Sequence, residues 1–366
     1  MNFQKILIVK LGSIGDVVHT LPSLNALKNA FPKAKISWVV EEKSKDILLG
    51  NKNIHKLYTI DTKCWRRDIR NPKLFIPVIK EMQNFFKTLR DEQFDLALDF
   101  QGLIKSGIIT FFSGAKFSIG FDKRSCREPM NSLFTKVKVT PGNRDAHMVD
   151  KNLSLLKKLG IRVNGKESKL IYPDSETHKL ADEIFSKYHI DRKKFTVGIY
   201  PGGGWVTKMW ECHKFAILCN LIKEKFNSQL LLISGKDEEL LVTEINLMMK
   251  IKAIEIKGTT LKELIAVLSR MDLFIGGDTG PLHIASAMGV PTVAIFGPSN
   301  PLINGPYGDR HRIIQKDIHC KNCYKRTCDS IKCMKEIEVE EVFEAASSLI
   351  EISEMPKKNK SLDYID

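Results

Sequence analysis

The stretch from Phe274 to Pro298, FIGGDTGPLHIASAMGVPTVAIFGP, constrains the fold more than any other part of the chain. Leu273 to Ile275 is apolar enough for a buried strand, and Gly276-Gly277 ends it. Thr279, Gly280 and Pro281 then open a short helix, with Pro281 suited to the first helical position, where a missing N–H leaves no bond unmade. The helix, His283 to Met288, stops at Gly289, and Pro291 leads into a second apolar strand, Thr292 to Phe296. The N–H groups at the start of such a helix point out past the strand's carboxyl end, where open parallel sheets bind diphosphates and other anions. Two readings of the turn are open. Either Asp278 orients the loop or a ligand hydroxyl while His283 donates to phosphate oxygen, or the segment is a tight turn with His283 packed against the core.

The same alternation runs through the whole chain. Lys5 to Lys10, Lys35 to Val40, Leu57 to Ile60, Leu96 to Phe100 and Phe117 to Gly120 read as strands, with helical patterns at Val17 to Ala30, Phe75 to Leu89 and His147 to Leu159. After a connector at Pro173 and a polar helix at Glu176 to Tyr188, strands recur at Thr196, Leu230, Ala253, Leu273 and Thr292. Helices at Cys212 to Phe226, Glu238 to Met249, Leu261 to Ser269 and Val339 to Ile352 accompany them. The expected fold class is α/β, with two doubly wound Rossmann-like domains at 1–172 and 173–352, a polar tail at 353–366 and a ligand cleft between the domains.

Composition narrows the partners. Lys+Arg 57 against Asp+Glu 43 gives a net charge of +14, which favours nucleic acid, an anionic membrane face or a phosphorylated glycolipid. Aromatic content of 8% and the lack of a recognised binding motif speak against nucleic acid. Lys10 and Asp16 interrupt the N-terminal apolar stretch, so a signal peptide is not expected, and prolines and glycines break the uncharged run from Thr279 to Gly308. The expected location is the cytosol, where the eight cysteines would be thiols or metal ligands. Cys320, Cys323, Cys328 and Cys333 form C-x2-C-x4-C-x4-C, which reads as a structural metal site or as a reduced, locally packed loop.

Chemistry concentrates at strand ends. Lys10-Leu-Gly-Ser-Ile-Gly15-Asp16 lacks the spacing of a dinucleotide fingerprint, and a carboxylate at the helix start would oppose a pyrophosphate. Asp16 is either a general base at the mouth of the site or the cap of the following helix. Tyr200-Pro-Gly-Gly-Gly204 allows close backbone approach to a ligand, and Lys208 is either a neutraliser of leaving-phosphate charge or a solvated loop lysine. Asp237 is either a ribose acceptor or part of an acidic first helical turn. No Asp-x-Asp occurs, so catalysis without a metal is the default expectation. Arg66, Arg67 and Arg70, with Lys105, Lys123, Arg124 and Arg127, would bind carboxylates or phosphates if gathered on one wall.

Taken together, ILIVKLGSIGDVVHTLPSL, WVVEE, CWRRDIR, DFQGLIKS, CREPMNSLF, TKMWE and GGDTGPLHIASAMGVPTVAIFGP resemble the ADP-heptose:lipopolysaccharide heptosyltransferases, glycosyltransferase family nine, through both domains. QGLIKS and REP narrow the likeness to the members that add the first heptose. The resemblance implies a GT-B enzyme, inverting, metal-independent and without a cofactor. It implies transfer of L-glycero-D-manno-heptose from ADP to Kdo of the lipid A inner core, at the cytoplasmic face of the inner membrane. Asp16 corresponds to the base and Lys208 to the phosphate-binding lysine. Thr207, Asp237, Asp278, Thr279, Gly280 and His283 fall on the donor side, and Ser13, Gly15, Arg66, Arg67, Arg70, Lys105 and Arg127 on the acceptor side. GGGWVT departs from the threonine-rich loop of the family. A nucleotide-sugar epimerase of the same architecture, or a basic nucleic-acid-binding protein, is the alternative.

Overall fold

Strands that are apolar at every position must be covered on both faces, and helices alternating with them supply that cover. The computed structural model, which describes residues 2–143, 145–162 and 169–354, shows this arrangement twice. The chain forms two compact units, Met1–Tyr172 and Pro173–Asp366.

In the first unit the strands are β1 (Lys5–Val9), β2 (Lys35–Glu41), β3 (Lys56–Ile60), β4 (Leu96–Asp99), β5 (Phe117–Phe121) and β6 (Val137–Val139). Its helices are α1 (Ile14–Val18), α2 (Leu21–Ala30), α3 (Thr62–Asp68), α4 (Phe75–Asp91), α5 (Ile104–Phe112) and α6 (Met148–Lys157). The second unit runs α7 (Ser175–Lys187), β7 (Thr196–Tyr200), α8 (Cys212–Phe226), β8 (Gln229–Ile233), α9 (Glu239–Met248), β9 (Ile254–Ile256) and α10 (Leu261–Leu268). It continues through β10 (Leu273–Gly277), α11 (Gly280–Ala287), β11 (Thr292–Ile295), α12 (Pro301–Asn304), β12 (His311–Ile314), α13 (Lys332–Lys335) and α14 (Val339–Glu354).

Both sheets are parallel, in the orders β3-β2-β1-β4-β5-β6 and β12-β11-β10-β7-β8-β9. Counted from the first strand of each unit, the winding is the same, and the strand order reverses between β1 and β4 and between β7 and β10. Loops leaving the carboxyl ends at these reversals are where open sheets bind ligands. In the first core Leu7, Val9, Val39 and Ala97 meet Leu89 of α4 and Ile109 of α5. In the second, Val197, Ile199, Leu230 and Ile275 meet Phe215, Val242 and Val342.

Three expectations need correction. The helix expected at 17–30 is broken into α1 and α2, because Pro22 cannot donate to the ladder and its ring clashes with the preceding turn. The carbonyl of His19 exposed by this break accepts from Asn152 Nδ2 at 3.1 Å. The edge strands β6 and β12 and the helix α5 were not anticipated. α14 runs on to Glu354, and residues 355–366 of the expected tail lie outside the described residues. Among the described residues, no helix is long and apolar enough to cross a membrane.

Candidate functional site

In the second unit β10 delivers Asp278 to the start of α11. Thr279 is extended and precedes the helix, its Oγ1 donating to the carbonyl of Gly277 at 3.2 Å. Gly280 takes the first helical position, so Pro281 occupies the second rather than the first. The Asp278 carboxylate is buried and receives Lys208 Nζ at 2.5 Å on one oxygen, with His283 Nε2 at 3.2 Å from the other. Burial alone would raise the Asp278 carboxyl, but the hydrogen bonds and charges of His283 and Lys208 outweigh it and hold the group well below the carboxylate range.

Lys208 is not a solvated loop lysine. Its side chain is 12% exposed, and its ammonium lies over the Trp205 ring, 4.2 Å from the centroid. Arg326 also lies against that ring, at 4.9 Å. Thr207, expected to touch the donor, is buried, and its hydroxyl donates to the carbonyl of Lys325 at 2.7 Å. It thereby ties the loop after β7 to the cysteine-bearing segment.

The glycines of this loop differ in purpose. A side chain at Gly202 would stand 2.6 Å from Glu238 Oε1, and one at Gly203 would stand 2.8 Å from Met209 Cγ, whereas Gly204 faces open space. The glycine run thus mainly admits the protein's own groups, and only Gly204 keeps the close-approach reading open. Glu238, which sequence reasoning passed over, accepts from Tyr200 Oη at 2.7 Å and from Gly235 N at 3.2 Å. Asp237 beside it is exposed. The signal for Glu238 was its position three residues after Gly235, from which it reaches back to that N–H as in a capping box.

In the first unit the turn after β1 is held from below. Gln101 Oε1 accepts from Leu11 N at 3.0 Å and Gly12 N at 3.2 Å. Lys10 is buried and donates from Nζ to the carbonyl of Phe100 at 2.9 Å. Burial pushes this ammonium below its ordinary value, against the pull of Asp16 and Asp99. Asp99, the last residue of β4, accepts from Gln101 N, Gly102 N, Ser106 Oγ and Asn131 Nδ2 at 2.6 to 3.1 Å. Burial raises its carboxyl despite these bonds. None of these buried residues was given a role in the site from the sequence.

Asp16 lies inside the first turn of α1, not ahead of it, because the helix begins at Ile14 rather than Val17. Its Oδ2 accepts from Ser13 N at 3.0 Å and Ser13 Oγ at 3.4 Å, and Arg127 Nη1 stands 3.9 Å away. The side chain is 19% exposed. Ser13, Lys105 and Arg127 line a cavity of about 410 Å³ together with Glu41, Lys43 and Asp61. Asp16 stands behind Ser13 and Arg127 without lining this cavity itself. Gly15 is buried within α1 and does not line it. Arg66, Arg67 and Arg70, expected on the same wall, are exposed on or just beyond α3 and do not line it either. Arg67 instead pairs with Asp68 at 2.6 Å. The wall is therefore of mixed charge, and the Lys105 ammonium is bound to Glu41 Oε1 at 2.7 Å and Thr62 Oγ1 at 2.9 Å.

Of the four clustered cysteines, Cys333 is buried, Cys320 partly buried, and Cys323 and Cys328 exposed. Among the described residues no group of three or more His, Cys, Asp or Glu side chains is placed to hold a metal ion.

Comparison with known proteins accords with this geometry. The model of glycosyltransferase family 9 (heptosyltransferase) matches residues 82–334. Lipopolysaccharide heptosyltransferase 1 of Pseudomonas aeruginosa is 28% identical over 337 residues, covering 89% of this chain and 87% of that protein. The crystal structure of a family 9 glycosyltransferase from Veillonella parvula superposes with a TM-score of 0.84 at 22% identity, covering 96% of this chain and 98% of the other. That of the E. coli heptosyltransferase WaaC with ADP gives 0.75 at 23% identity, covering 96% and 100%. The two doubly wound units are those of a GT-B glycosyltransferase. With more than half of its length matched, and with the strand ends furnished as described, the chain belongs to glycosyltransferase family 9, the heptosyltransferases.

Proposed function

We propose that the protein moves heptose from ADP-L-glycero-D-manno-heptose to a Kdo sugar of the lipid A inner core, with inversion and without a metal, at the cytoplasmic face of the inner membrane. The observation that carries this reading is the pairing of Lys208 and His283 with one buried carboxylate at the start of α11. Two donors and a helix N-terminus meet where a diphosphate is stabilised by its fit to this sheet position. A diphosphate there competes with Asp278 for Lys208, and the developing charge of departing ADP draws the lysine further. Thr279 and Gly280 offer backbone N–H groups to the same phosphates. Glu238, fixed by Tyr200, is the carboxylate we assign to the donor ribose in place of Asp237.

In the first unit the acceptor occupies the cavity of Ser13, Lys105 and Arg127, its carboxylate drawing on Arg127. The Kdo hydroxyl oxygen forms a bond to the anomeric carbon while the bond from that carbon to the β-phosphate oxygen breaks. The electron pair leaves with ADP, and the hydroxyl proton passes to Asp16. Because the helix-end donors and Arg127 converge on Oδ2, we assign Oδ1 as the atom that takes the proton.

The test is an assay of purified protein with ADP-heptose, UDP-sugars and GDP-sugars, each with and without Kdo-lipid A. Product is expected only from ADP-heptose with Kdo-lipid A, and it should form undiminished in the presence of a chelator. Turnover without acceptor, or preference for another nucleotide, overturns the reading.

A further inference from the structure

Where α3 gives way to α4, the chain exposes an unbroken run of apolar residues: Leu74, Phe75, Ile76 and Pro77. Phe75 is 47% exposed and Ile76 63%, although burial of either would stabilise the fold. The rest of α4 does reach the core, through Val78 and Leu89, with Phe85 and Phe86 packed against it. Leu74 and the first three residues of the helix are therefore left in solvent, while Val78 is already buried.

The charge around this tip is one-sided. From residue 66 to 81 the chain carries five cations, Arg66, Arg67, Arg70, Lys73 and Lys80, and two carboxylates. Both carboxylates are engaged: Asp68 with Arg67 at 2.6 Å, and Glu81 with Trp65 Nε1 at 2.9 Å. Apolar side chains are also exposed at Phe111, Phe112, Met130 and Leu133, and at Leu240 and Leu247 on α9, where Glu239 and Glu244 stand among them.

We propose that the α3–α4 tip docks on an anionic bilayer, with Leu74, Phe75 and Ile76 entering the boundary between headgroups and acyl chains. Arg66, Arg70, Lys73 and Lys80 then meet lipid phosphates. Apolar side chains supply the depth and the basic fringe supplies attraction to a negative surface, the combination that holds interfacial helices. A second copy of the chain is a poor occupant, because a twofold contact would bring the two basic fringes together. The proposal deepens the functional reading, since an acceptor embedded in a membrane would be met by an enzyme docked on it.

The experiment compares sedimentation of the full chain with phosphatidylglycerol-rich and with phosphatidylcholine vesicles, in the absence of donor and acceptor. Binding is expected on the anionic vesicles, weakening as salt rises. Combining Leu74→Ser, Phe75→Ser and Ile76→Ser should lower that binding by about tenfold or more. The melting temperature and transfer to a lipid-free Kdo acceptor should stay unchanged. Leu240→Ser, which removes a side chain 84% exposed, should bind as the unaltered chain does. The proposal is overturned if the triple variant binds as well as the unaltered chain, if Leu240→Ser loses as much, or if lipid charge makes no difference. Failure of transfer to the lipid-free acceptor by the unaltered chain would sink the functional reading, while the vesicle comparison would still decide the surface.

Discussion

The carboxyl end of the fourth strand in each unit carries a buried aspartate, Asp99 as the last residue of β4 and Asp278 just after β10, and the two are treated in opposite ways. Asp99 receives four hydrogen bonds from neutral groups, and burial raises its carboxyl. Asp278 is held by Lys208 and His283, and its carboxyl is driven down. A carboxylate bound by amides and hydroxyls has partners that serve only to fix the chain. One bound by basic side chains holds donors that a stronger anion can take away. The same sheet position thus acts as a strut in the first unit and, as we propose, as a keeper of catalytic charge in the second.

The comparison is broken most severely at Asp99. Asp99→Ala leaves the buried amides of Gln101 and Gly102 without an acceptor and strips Ser106 and Asn131 of one, the Leu103 carbonyl being their other, and should cost about 3 to 5 kcal/mol of stability, measured by chemical denaturation. A loss below about 1 kcal/mol would show that Asp99 is no strut. At Lys208 the loss should instead appear in chemistry. Lys208→Met is expected to lower turnover about 100-fold or more while the melting temperature moves by only a few degrees, because His283 still partners Asp278. If melting falls steeply and turnover of the remaining folded protein is normal, the two aspartates do the same work and the contrast fails.

Asp16→Asn sharpens the contrast within the first unit. Asparagine keeps an oxygen for Ser13 N, so capping survives, but it cannot accept the Kdo proton. Turnover is expected to fall about 100-fold, with the fold and ADP affinity intact. Normal kcat with a lowered melting temperature would leave Asp16 a helix residue only.

Acid provides the smallest effect, and it falls on the second unit. His311 contacts Ser286 of α11 and Thr292 of β11, and burial, aided by the charge of Arg310, lowers its pKa from 6.5 to about 4. Below pH 6.5 the unfolded chain takes up a proton that the folded one refuses, so stability is lost as pH falls from 6.5 to about 4. The loss should be about 1 to 3 kcal/mol. His311→Gln should flatten the melting temperature over that window, and an unchanged slope would remove His311 from the account.

How much of this was legible depended on distance along the chain. The interior strands were readable because a strand buried on both faces is apolar throughout, as in Leu7 to Val9 and Leu230 to Ile233. β6 and β12 lie at sheet edges, are short and are only partly buried, so their apolar signal is thin. The turn around Asp278 could be read locally because its glycines, proline and histidine are neighbours. The frame beneath Asp16 could not. Gln101 lies 90 residues from the Leu11 amide it receives, and Asn131 lies 32 from Asp99, and no periodicity records such pairs. The arginines near Trp65 lie off this cavity for a related reason: adjacency put them together in sequence, while the cavity drew its charges from four separate segments.

Trp205 lies in contact with Lys208 and Arg326, and this gives the loop after β7 an optical handle. Of the four tryptophans, Trp38 and Trp210 are buried in the cores, and Trp65 is hydrogen-bonded to Glu81 near the α3–α4 tip. A nucleotide that draws Lys208 off the ring would change the field on the Trp205 indole directly, while Trp38 and Trp65 lie in the other unit. The emission spectrum would then report donor binding without any label.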